Sequence, residues 1–123
     1  MVKKLGERIR ELREQNPVYK SLRQFATALG KSPSWVSKVE RNEEKPGNES
    51  LILIAKLLGA DAAELFDLAD RLEPDVERGL AERYAELSGL LRTINRLPSE
   101  KVSELEGRAN DLLEERENGG NSS

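Results

Sequence analysis

The chain has no cysteine and no histidine. Without cysteine there is no disulfide framework, no thiolate metal site and no thiol nucleophile. Without histidine the commonest general base and the commonest metal ligand are gone. Paired carboxylates or a serine–lysine arrangement are the routes to catalysis that remain. The many acidic side chains, however, are spaced as solvated helix faces, so no enzymatic activity, metal or cofactor is expected. Only five of the 123 residues are aromatic. Any core is therefore aliphatic and small, and oligomerisation is a common remedy for a small core. No apolar run is long enough to span a bilayer. Met1 to Arg8 carries two lysines but no apolar stretch of the kind that marks a secretory signal. A cytoplasmic protein with no membrane association is expected.

Net charge is −3, which by itself argues against a polyanionic partner. Its distribution argues the other way. Residues 1–58 hold 12 Lys/Arg against 7 Asp/Glu, a net of +5. Residues 59–123 hold 8 against 16, a net of −8. A basic front and an acidic back predict that the front alone meets nucleic acid.

Hydrophobic residues make up 37% of the chain and charged residues 35%. That is polar, but the apolar residues are periodic, so order is expected. Leu5, Ile9 and Leu12 repeat at helical spacing, with Glu7, Arg8, Arg10, Glu11 and Arg13 assigned to the outer face. A first helix over about residues 3–15 follows, ended by Asn16-Pro17. Ser21 is a cap before the stripe Leu22, Phe25, Ala26 and Leu29, and Gly30 is a left-handed stop. Ser32-Pro33 opens a third helix with Val36 and Val39 inward, ending near Arg41 or Asn42. Asn42 to Asn48 is a loop by composition. Leu51, Ile54, Ala55 and Leu58 mark a fourth helix stopped by Gly59. Asp61 with Glu64 has the form of a capping box, opening a fifth helix through Leu65, Leu68 and Leu72.

The second and third helices are so closely joined that they must cross steeply, as reading DNA in the major groove requires. Within Ser21 to Glu40, Ala26 is small where the helices approach and Gly30 supplies the turn. The segment from about Leu5 to Leu72 resembles the Cro/repressor-type, XRE-like helix-turn-helix family. The residues that carry the resemblance are Ile9-Arg10-Glu11-Leu12-Arg13, Phe25-Ala26 with Leu29-Gly30, Trp35 to Glu40, Lys45-Pro46, Ile54 to Gly59, and Leu65. The resemblance implies a five-helix DNA-binding domain, working as a dimer on a two-fold symmetric operator of double-stranded DNA. It places base readers on Ser34 and Lys38, with Trp35 and Ser37 beside them. Lysine donates to guanine O6 and N7, whereas serine specifies weakly. Ser21, Arg23, Gln24, Lys31, Ser32, Arg41 and Lys45 surround this surface as phosphate contacts, which position without reading sequence.

Four residues depart from the family pattern. Leu22 stands where a phosphate-gripping glutamine is usual, and Asn42 where glycine is. Pro33 replaces a base-contacting polar residue, and Gly47 weakens the cap of the fourth helix. Glu40 is read as bonding locally, to backbone or a neighbouring basic residue, with no catalytic role.

Pro74 is expected to open a second element over residues 74–117, following a DNA-binding domain of residues 1–73. Val76, Leu80, Leu87, Leu90, Ile94 and Leu97 recur over about six turns, and Tyr84 and Leu91 widen the stripe. Pro98-Ser99 breaks the helix and starts another through Val102, Leu105, Ala109 and Leu112, giving a helical hairpin. Residues 118–123 read as a flexible tail. The stripe exceeds what the short second helix would cover. A homodimer interface through Val76, Leu80, Tyr84, Leu87, Leu91, Ile94, Val102, Leu105 and Leu112 is favoured. Packing of the hairpin on its own chain, or docking of another protein, stays open. The expectation is an all-α repressor acting by promoter occlusion. The alternative is an antitoxin-like interaction protein that binds a partner through residues 74–116 and autoregulates through the helix-turn-helix.

Overall fold

Local caps and stops set most of the helix boundaries in the computed structural model, which describes residues 3–120, with side chains through residue 118. Among the described residues all regular structure is helical. The helices are α1 (Leu5–Gln15), α2 (Leu22–Leu29), α3 (Pro33–Glu40), α4 (Asn48–Leu58), α5 (Ala62–Leu68), α6 (Pro74–Glu82), α7 (Tyr84–Ile94) and α8 (Ser99–Gly120). None of them is long and apolar enough to cross a membrane. The chain divides into two compact units, Met1–Gly79 and Leu80–Ser123. The division therefore falls inside α6, whereas the sequence places it before Pro74.

In the first unit, Ile9, Phe25, Ala26, Val36, Val39, Leu51, Ile54, Leu65 and Phe66 are buried together. Each of the larger ones contributes roughly 1.5–3 kcal/mol by leaving water. Tyr19 leans on Phe25 with ring centroids 5.7 Å apart and planes tilted by 56°, an aromatic pair in a favourable geometry. Gly59 closes α4 at φ 66°, as the sequence predicts.

Three features differ from the sequence reading. α5 stops at Leu68, because Asp70 takes a left-handed φ of 57° and the Arg71 amide folds back to the Phe66 carbonyl at 2.9 Å. That is the closing pattern of a helix end, built on aspartate instead of glycine. Leu72 consequently lies outside α5 and is 53% exposed, while Phe66 takes the core position. The capping box at Asp61 is only half made. Asp61 Oδ1 accepts from the Ala63 amide at 3.0 Å, but Glu64 turns away to accept from Arg8 Nε. The continuous helix expected from Val76 to Leu97 is broken at Arg83, whose φ of −118° leaves the helical region and whose Nη2 bonds forward to Glu86 at 2.8 Å.

The second unit therefore holds the end of α6 and two full helices, not one long helix and a short one. α8 runs through Asn118, Gly119 and Gly120, where a flexible tail is expected from composition. Residues 121–123 of that tail lie outside the described residues. No residue from 80 to 118 is buried.

Gly6 is the tightest point of the first unit. A Cβ there would stand 2.3 Å from the Val39 carbonyl, 2.6 Å from the Glu40 carbonyl and 2.7 Å from Asn42 Oδ1. Helix propensity alone favours Gly6→Ala by about 1 kcal/mol. The clash with rigid backbone reverses that sign. Gly6→Ala is expected to cost a net of about 1–3 kcal/mol, as overpacking does, and to lower the melting temperature. A raised melting temperature would show that α1 does not press on the end of α3.

Candidate nucleic-acid interface

The surface is built from two caps and one turn. Ser21 Oγ accepts from the Gln24 amide at 3.4 Å and starts α2. Gly30 closes α2 at φ 69°, and the Lys31 amide returns to the Ala26 carbonyl at 2.9 Å. Ser32 Oγ then accepts from the Trp35 amide at 3.1 Å, with Pro33 in the first turn of α3. Each cap satisfies an amide that the helix itself leaves unpaired. α3 therefore begins immediately after the turn, as the sequence predicts.

Val36 and Val39 are buried and fix which way α3 faces. Pro33, Ser34 and Lys38 are exposed, and Trp35 and Ser37 are half-buried. Ser34 and Lys38 are one helical turn apart, so they share an outward line. Trp35 packs partly against the core, and Lys31 Nζ lies 5.2 Å from the centroid of its ring, within cation–π range. Ser37 lies with Arg10, Arg13, Leu22 and Arg41 around a cleft of about 190 Å³. It thus stands toward the α1–α2 side.

Arg23, Gln24, Lys31, Arg41 and Lys45 are all exposed. Arg41 is engaged with Glu43 at 3.2 Å. Among the described residues, Arg23, Lys31, Lys38 and Lys45 have no carboxylate within ion-pair distance. Lys31 and Lys45 border one shallow groove of about 480 Å³ with Trp35, Gly47 and Asn48, whose lining also includes Glu44 and Glu49. Gly47 caps α4 without a side-chain bond, as its identity predicts. The arrangement offers a line of donors on α3 flanked by unpaired cations, which is what a phosphate-bordered groove requires.

Behind the reading face sits a buried ion pair. Arg13 and Glu40 are 6% and 7% exposed. Glu40 Oε1 accepts from Arg13 Nη2 at 2.9 Å and from Nε at 3.1 Å. Arg13 Nη1 donates to the Lys20 carbonyl. Arg13 is thus buried, where the sequence places it on the outer face, and the basic partner of Glu40 comes from α1, 27 residues away, instead of from the adjoining chain. The signal was present, since Arg13 follows Ile9 by four residues and so continues the buried stripe. A carboxylate at the last position of α3 opposes the helix dipole, and the guanidinium beneath it offsets that charge.

Asn42 takes the left-handed φ of 62° that glycine usually supplies. Its Oδ1 also accepts from the Gly6 amide at 2.8 Å. The side chain thus caps α1 from the end of α3. Asn16 Oδ1 likewise accepts from the Val18 and Tyr19 amides, at 2.9 and 3.2 Å, ordering the link into α2. Elsewhere on α1 the hydrogen bond from Arg10 holds the Glu14 carboxyl below its ordinary range, against desolvation, on a solvated face.

A family model described as a helix-turn-helix domain matches residues 4–68, more than half of the chain. The matched segment ends where α5 ends. No curated protein and no solved structure matches the chain.

Proposed function

The chain belongs to the XRE-like helix-turn-helix family of DNA-binding domains, and from that membership we propose that it is a dimeric, sequence-specific repressor acting by promoter occlusion in the cytoplasm. The observation that carries the reading is the outward line of Ser34 and Lys38 on a helix whose opposite face is locked by Val36, Val39 and Glu40. Lys38 reads guanine in the major groove and Ser34 adds weak discrimination. Trp35 stands beside them, half-buried. Arg23, Lys31 and Lys45 hold the flanking phosphates, with Gln24, Ser21 and Ser32 at the helix starts nearby. Two such heads lie about one DNA turn apart, roughly 34 Å, and block polymerase between them.

The dimer element is assigned to the acidic unit, whose charge keeps it off DNA. Its helices leave large apolar side chains in water, with Tyr84 at 67% and Leu112 at 66% exposed. The same exposure supports the antitoxin-like reading, in which another protein covers these faces. A homodimer that is stable alone favours the repressor. A chain that aggregates until a partner is supplied favours the alternative.

Lys38→Ala is expected to weaken binding to the specific site by about 10- to 100-fold, since a base contact is worth roughly 1–3 kcal/mol. Binding to random DNA should change far less. Parallel titrations of both DNAs at one salt concentration check this, and equal losses would reassign Lys38 to phosphate.

A further inference from the structure

Val102, Leu105, Ala109 and Leu112 occupy the a and d positions of two successive heptads in α8. Leu105 is half-buried, Ala109 is exposed, and Val102 and Leu112 are 37% and 66% exposed; α7, the other complete helix of the unit, does not pack extensively along them. Valine at a with leucine at d is the pattern that favours two strands, and Ala109 at the second a position lets two backbones approach. We propose that this seam is covered by α8 of a second copy, parallel and in register. The proposal specifies the partner and direction of the dimer described above and rests on that reading.

The charges beside the seam choose the direction. In the parallel arrangement Lys101 at g meets the partner's Glu106 at e, twice by symmetry. Arg108 at g lies over the partner's Leu113 with its aliphatic stem. The antiparallel arrangement sets Val102 against the partner's Leu112. It then brings Arg108 to the partner's Arg108 and Glu106 to the partner's Glu106, two like-charge contacts that offset the Lys101–Glu115 pairs this arrangement also forms, whereas the parallel form keeps its attractive pairs without them. Lys101 already bonds Glu104 at 3.1 Å within its own helix. Both side chains of that pair are at least half exposed, so it is weakly held and yields. Glu104, Asp111 and Glu114 fall on the outer face, where they stay solvated. Two heptads make a short seam, so self-association is modest in free protein and tightens when both heads share DNA.

The absence of cysteine makes the test clean. Leu112→Cys and Leu105→Cys in the full chain place one thiol each on the seam, and Glu114→Cys places one on the outer face. Thiols seated side by side have an effective concentration of order millimolar, against roughly 10 µM free chain, so seam thiols should oxidise to covalent dimer up to about 100-fold faster than the control, in proportion to the fraction paired. Circular dichroism confirms that each variant is folded. Equal rates at positions 112 and 114 would overturn the seam. Cross-linking only in a Val102→Cys, Leu112→Cys double variant would overturn the direction. Faster cross-linking of Leu112→Cys only when a lysate is added would assign the face to another protein and overturn the proposal. Cross-linked dimer that selects no DNA site would leave the seam standing and remove the repressor reading. A two-fold site with an unlinked seam would do the reverse.

Discussion

Glu40→Ala is expected to lower the stability of the DNA-binding unit by about 3–5 kcal/mol, because it leaves the Arg13 guanidinium buried without its partner. Small domains hold about 5–15 kcal/mol in total and this one is near the lower end by size, so much of the population should unfold at growth temperature. The loss arises from geometry as well as charge. Arg13 spans from α1 to the last residue of α3 and also binds the Lys20 carbonyl ahead of α2, so one side chain ties together the three helices that make the reading surface. Urea unfolding followed by circular dichroism measures the loss. A double variant, Arg13→Met with Glu40→Leu, should recover most of it, since apolar replacement of a buried pair is often neutral or stabilising. If the double variant folds but binds DNA poorly, the pair sets the tilt of α3. A loss below about 1 kcal/mol for Glu40→Ala would mean that the pair is solvated in solution.

Ending the chain after Gly79 is expected to leave a folded unit that binds a specific site about 10²- to 10⁴-fold more weakly, the range that linking two modules supplies. The buried core lies wholly before Val76, so nothing that holds the first unit together is removed. Circular dichroism and a mobility-shift titration measure both parts. An unfolded fragment would make the acidic helices part of the core. Undiminished affinity would make one head sufficient and leave the second unit free for another task.

The reading surface was legible because its signals are local. Ser21, Gly30 and Ser32-Pro33 act on amides within three or four residues of themselves, so their positions in sequence are their positions in space. Arg13 with Glu40 and Gly6 with Asn42 are 27 and 36 residues apart, and no local pattern names such partners. The stripe through Leu5, Ile9 and Arg13 hinted at burial for Arg13, but its charge suggested the opposite face. The end of α5 was misplaced because Asp70 does the work of a glycine, and leucine periodicity runs on through Leu72 regardless. The break at Arg83 has no proline or glycine to announce it.

DNA reading by a two-headed dimer is tested most directly by selecting DNA fragments with the purified full chain and sequencing them. A two-fold symmetric site whose half-sites are centred about 10 base pairs apart or a small multiple of that is expected, with enrichment lost in Lys38→Ala. A single asymmetric half-site would contradict the dimer, and no enriched sequence at all would contradict specific reading by α3.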